Sequence, residues 1–123
     1  MKTAELTGAA LDWAVAKCEG LEIYFDDGFV CLVGQPFDTA WRCWNPSTDW
    51  AQGRAIIERE EISVTREFAS GRVEWAAWTP APIRDDAEAF GYGETPLIAA
   101  MRCYVASKLG DEVEVPEELM TAA

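Results

Sequence analysis

The stretch "TPLIAAMRCYVASKLG", Thr95 to Gly110, constrains the fold more than any other part of this chain. It carries a start, a stop and an apolar stripe between them. Thr95 is a good N-cap, Pro96 suits the first helical position because its missing N–H has no helical partner to lose, and Gly110 supplies the end. Leu97, Ile98, Met101, Val105 and Leu109 recur at helical spacing. A helix with such a stripe has to bury it against another element, so the rest of the chain must supply that surface.

A second helix is expected near the other end. Thr7 reads as its N-cap, Leu6 and Leu11 as a hydrophobic staple, and Gly20 as its stop, giving a helix over 8–19. Leu11, Ala14, Val15 and Cys18 form its apolar face. Trp13 lies off that stripe, either widening the buried face or standing partly exposed.

Between the helices the periodicity is that of strands. "LEIYFDDGFVCLV" predicts a hairpin over 21–33, with Asp-Gly at its turn. Residues 35–46 read as a connection carrying Phe37, Trp41 and Trp44. "EISVTREF" and "VEWAAW" predict a second hairpin about Ala69–Arg72, with Ile62, Val64, Arg66 and Phe68 on one face. "TPAPIRDDAEAFGYGE" reads as a long loop because of its prolines, glycines and acids. Val113 and Val115 suggest a short extended piece within an acidic tail from about residue 111. The order helix, hairpin, hairpin, helix predicts one α+β domain over 1–123, with both main helices on an antiparallel sheet made of the two hairpins.

A chain of 123 residues is long enough to bury roughly two-thirds of the surface its unfolded form exposes, so it needs no staples. Its apolar runs all fall short of the ~20 residues of a membrane span, and the N-terminus lacks a signal-peptide core. The expected location is the cytoplasm. There Cys18, Cys31, Cys43 and Cys103 are expected to act as small buried hydrophobes, with no C-x-x-C pair and no histidine to make a zinc site. Six tryptophans in so small a domain leave a homo-oligomer open.

Charge and missing residue types exclude more. Twenty-two acids against ten bases give a net charge of −12. Nucleic-acid affinity is built on Lys and Arg contacts to phosphate, so no direct nucleic-acid binding is expected. A basic protein is the better partner. Without histidine there is no Ser-His or Cys-His nucleophile pair, and no phosphate-cradling glycine motif occurs. Paired acids are expected by chance in so acidic a chain, and the same discount covers magnesium at Asp85-Asp86, so no metal site is expected. A non-enzymatic protein with no cofactor is the expectation, with a carboxylate-based enzyme as the remaining alternative.

One stretch stands apart, "PSTDWAQGRAIIERE", Pro46 to Glu60. Asp49 followed by Gln52 matches a capping box, and Gly53 then suggests that the helix ends after about one turn. Ser47 and Thr48 suit local bonds to the backbone. Those same residues can be read as a binding site, in which Trp44 and Trp50 supply flat apolar contacts and Ser47, Thr48, Asp49, Gln52 and Arg54 orient a polar, nucleotide-like ligand. Both readings stand. Ile56 and Ile57 belong to the core, while the run Glu58 to Glu61 is mostly exposed, with Glu58 or Arg59 able to turn inward.

Three segments, "ELTGAALDWAVAKCEG", "PSTDWAQGRAIIERE" and "TPLIAAMRCYVASKLGDEVEVPEEL", together resemble the NinX-like family of small phage and prophage proteins. They lie at the start, middle and end of the chain, in the family's order. The family signature is matched at Pro46, Ser47, Thr48, Asp49, Trp50, Ala51, Gln52 and Gly53. The family pattern continues with Gly-Pro, where this chain has Arg54-Ala55, a freer backbone with an added charge. The resemblance implies a setting, an accessory protein at work in the cytoplasm of an infected or lysogenic bacterium; together with the acidity and the missing catalytic set it leads to the expectation that the protein binds a host or phage component. The resemblance carries over no catalytic residues.

Overall fold

The computed structural model describes residues 1–26, 28–34, 43–69, 71–83 and 87–120. The connection bearing Phe37 and Trp41, the turn residues Asp27 and Ser70, and the Asp85-Asp86 pair lie outside the described residues. The fold is α+β, with three helices of ten or more residues and two antiparallel sheets.

Helix α1 spans Gly8–Glu19 and ends at Gly20, whose φ of 71° needs a residue without a side chain. Thr7 begins the helix in extended conformation but makes no side-chain cap; its carbonyl accepts from Leu11 N at 3.3 Å. Strands β1 (Ile23–Asp26) and β2 (Phe29–Leu32) form the first hairpin. Helix α2 covers Trp50–Arg59. Strands β3 (Ser63–Ala69) and β4 (Arg72–Ile83) form the second hairpin. Strand β5 (Ala87–Gly93) pairs with β4, α3 (Pro96–Leu109) follows, and α4 (Glu117–Met120) is a short terminal turn.

Two sequence expectations change here. The hairpins do not join: β1-β2 is its own sheet, and the second sheet has the order β3-β4-β5. The expected loop over 79–94 is instead largely strand. Gly91 and Gly93, which suggest a loop from sequence, are strand residues pressed against α3. A side chain at Gly91 would overlap the Ala99 carbonyl and the Cys103 amide, and one at Gly93 would strike Ile98. Glycine in this strand marks close backbone approach.

That approach makes α3 the centre of the molecule. Its Thr95 cap accepts from Ile98 N at 3.1 Å. Ala99, Ala100, Met101, Cys103, Tyr104 and Val105 are at most 2% exposed, so burial extends well beyond the expected stripe. The three-stranded sheet lies against α3, α1 and α2 also touch it, and β2 leans on α1. Val113 and Val115 are buried in the same core without forming a strand.

Candidate functional site

The Pro46–Glu60 stretch is a turn leading into a helix longer than its sequence suggests. Asn45 O accepts from Thr48 N at 3.0 Å and from Asp49 N at 2.8 Å. Asp49 caps α2 through Oδ1, which accepts from Ala51 N at 2.9 Å. Gln52 does not complete the capping box. Only 5% exposed, it reaches backward: Oε1 accepts from Asn45 N at 2.7 Å and Nε2 donates to Cys43 O at 2.8 Å. Gly53 does not stop the helix either. It faces inward, where a Cβ would lie 2.7 Å from Pro46 O and would meet Leu97, so glycine is required for the preceding turn to fold across α2.

Ser47 joins this turn to α1. Its backbone N donates to Asp12 Oδ1 at 2.9 Å, bridging positions thirty-five residues apart. Asp12 is only 5% exposed, and none of the described residues offers it an ion pair. Burial pushes its carboxyl up to about 6, against the opposing pull of Ser47. Ser47 Oγ and Trp44 Nε1 are both buried without a regular hydrogen bond, although the Ser47 side chain helps to hold the Asp12 carboxyl down. The bond from Ser47 N is the one regular hydrogen bond to the Asp12 carboxylate among the described residues. The residue lines a half-open cavity of about 220 Å³, walled by Ala9 of α1, Phe29 and Val30 of β2, and Trp44, with Thr48 at its edge.

The sequence-derived site residues therefore separate. Trp44, Ser47 and Thr48 gather around Asp12. Asp49 and Gln52 hold backbone in place. Trp50 is 53% exposed and borders a different cleft, which it shares with Ser47, Thr48 and Thr95–Ile98. Arg54 Nε pairs with Glu58 Oε1 at 2.9 Å on the open surface. Asp12 itself was not among the expected site residues. The available signal was its position three and four residues before the apolar Val15 and Ala16, which puts an acid on the buried side of a helix.

A second polar cluster lies at the opposite end of α1. Arg59 donates to Glu19 through both terminal nitrogens, at 2.9 and 2.6 Å, and through Nε to Glu60 at 2.9 Å. Tyr104, 2% exposed, donates its hydroxyl to Glu19, and Lys108 Nζ lies 3.3 Å from Glu60. Burial alone would raise Glu19 and Glu60. Hydrogen bonds from Arg59, joined by Tyr104 at Glu19 and Lys108 at Glu60, outweigh it and hold both carboxyls below their ordinary range. Within the charged run Glu60 is the side chain most withdrawn, at 17% exposure, while Arg59 stays 50% exposed and reaches across the surface to Glu19. This cluster ties the C-terminal ends of three helices and has its charges matched.

The four cysteines are free thiols, and burial pushes Cys18 and Cys103 up to about 12, so neither supplies thiolate at neutral pH. Among the described residues no three potential ligands gather to hold a metal ion, and no helix is long and apolar enough to cross a membrane.

No curated protein matches the chain. The family model described as Bacteriophage P22, NinX matches residues 2–108, which include α1, the whole Pro46–Glu60 stretch and α3 up to its last turn. The two segments that meet at the Asp12–Ser47 bond both fall within the match. On this match over most of its length, the chain belongs to the NinX family of phage proteins.

Proposed function

We propose that this phage accessory protein acts by binding and not by catalysis, and that its partner is a basic host or phage protein met in the bacterial cytoplasm. The observation that carries this reading is the face of the three-stranded sheet turned away from α3. Register places Trp78 opposite Phe90 and Ala76 opposite Tyr92, and Phe90 and Tyr92 are 53% and 50% exposed. On the same face Glu67 stands directly opposite Glu74. The aromatic surface is bordered by Glu67 and Glu74 on the sheet and by Lys2, Arg102, Asp111 and Glu112 around the cleft beside Phe90 and Tyr92, and in a chain of net charge −12 it suits a basic protein face with apolar content. A net charge of −12 would speed that encounter and disfavour self-association.

A small-ligand role for the Trp44–Arg54 loop is narrowed by the same geometry. The cavity near Trp44 is smaller than the roughly 300 Å³ at which drug-sized ligand sites begin. Asp12 would also repel a nucleotide's phosphates.

The test is capture from infected-cell lysate by wild type and by Phe90→Ser/Tyr92→Ser, at low and high salt. The expected result is a basic protein enriched by wild type, weakened by salt and lost with the double substitution. Equal capture by both forms, or enrichment of nucleic acid, overturns the proposal.

A further inference from the structure

We infer that the Asp12 cavity receives a single aliphatic cation, a primary ammonium or guanidinium on a hydrocarbon stem. Three features of the site support this. The carboxylate is nearly fully buried yet has no cationic partner among the described residues, a costly arrangement that an incoming cation corrects. Ser47 N takes up only one acceptor position of the carboxylate, which keeps acceptor capacity for a donor in the cavity that Asp12 lines. The walls are Ala9, Phe29, Val30 and Trp44, which suit a hydrocarbon stem, and the aromatic rings attract a cation. The first turn of α1 also borders the cavity, and its amides favour an anion. A helix end amounts to about half a unit charge, however, against the full charge of Asp12.

Such a group reaches the cavity either as a Lys or Arg side chain of a protein or as a free amine. The side-chain route deepens the proposed function and rests on it; the ammonium site itself stands without it.

The experiment titrates ¹⁵N-labelled protein with n-butylammonium, with a short peptide bearing one lysine, and with that peptide acetylated at the lysine Nζ. The Ser47 amide and the Trp44 indole N–H are the reporters. Millimolar binding of the two cationic probes is expected, with no binding of the acetylated peptide. Asp12→Asn should abolish the shifts, and for wild type the affinity should fall by roughly tenfold per pH unit below about pH 6, as the carboxylate protonates. Preference for the peptide assigns the protein side chain as the source; preference for the free amine assigns a metabolite. Either preference supports the site. Shifts that survive Asp12→Asn, equal binding of the acetylated peptide, or no shifts with either cation overturn it. Phe90→Ser/Tyr92→Ser should bind n-butylammonium as wild type does, so a failure here is distinguishable from a failure of sheet-face docking.

Discussion

Helix α1 carries two poorly exposed acids, Asp12 and Glu19, two turns apart and in opposite electrostatic circumstances. Glu19 meets the Arg59 guanidinium and the Tyr104 hydroxyl, and its carboxyl is held below the ordinary range despite burial. Asp12 meets one serine residue and no cation among the described residues, and burial takes it up to about 6. Asp12 lies deeper, at 5% exposure against 16% for the Glu19 side chain, but burial by itself pushes both carboxyls up. The difference is compensation. A buried acid with its partners supplied internally holds elements together, whereas one without them destabilises the fold and is the better candidate for an external ligand.

The largest effect should come from removing the uncompensated charge. Asp12→Asn keeps an acceptor for Ser47 N and removes the carboxylate. The folded-state value near 6 exceeds the ordinary 3.8 by about two units, so the variant should be more stable at pH 7 by roughly 2–3 kcal/mol. The sign follows from proton binding. Between about pH 4 and 6 the folded protein holds a proton that the unfolded chain has released, so wild type gains stability from Asp12 as pH falls. Asp12→Asn lacks that gain. Urea unfolding of both proteins at neutral and mildly acidic pH measures it; a variant less stable than wild type at pH 7, with an unchanged pH slope, would make Asp12 a structural residue like Glu19.

Breaking the compensated site should act in the other direction and less strongly. Tyr104→Phe removes the hydroxyl from Glu19 at a buried position and should lose about 1.5 kcal/mol at pH 7. Because Glu19 is depressed when folded, its contribution is present above its ordinary 4.5 and lost as pH falls through the lowered value. The Tyr104→Phe deficit should therefore shrink in strong acid, as thermal melts across that range would show. The smallest effect belongs to Arg54→Ala. The Arg54–Glu58 side chains are 61% and 64% exposed, so the change should cost no more than about 0.5 kcal/mol, and less at high salt. A larger loss on denaturant unfolding would mean that exposure is a poor guide to which acids and bases matter here.

Legibility from sequence followed the range of the interaction. Gly20 and Gly110, Thr95-Pro96 and Gly28 act within a few residues, and the α1, α3 and first-hairpin boundaries follow from them. Gly53, Gly91 and Gly93 have the same local preferences as any glycine, and local reasoning reads them as stops or loop residues. Their actual role is set by Pro46, Leu97, Ile98, Ala99 and Cys103 pressing against them. Gln52 shows the same effect. Its spacing from Asp49 suits a capping box, yet the backbone of Cys43 and Asn45 presents a donor and an acceptor together, and both ends of the amide go there.

The chain's own order of residues determined its acidity, the ends of its two main helices, the first hairpin and its kinship with a phage family, because each depends on composition or on neighbours along the chain. Only the tertiary structure decided that Asp12, an unremarkable acid in an amphipathic helix, sits over Ser47 with a cavity beside it and no cation to match it among the described residues. Desolvation is a property of everything packed around a group, and an acid's charge becomes costly only when distant segments close over it.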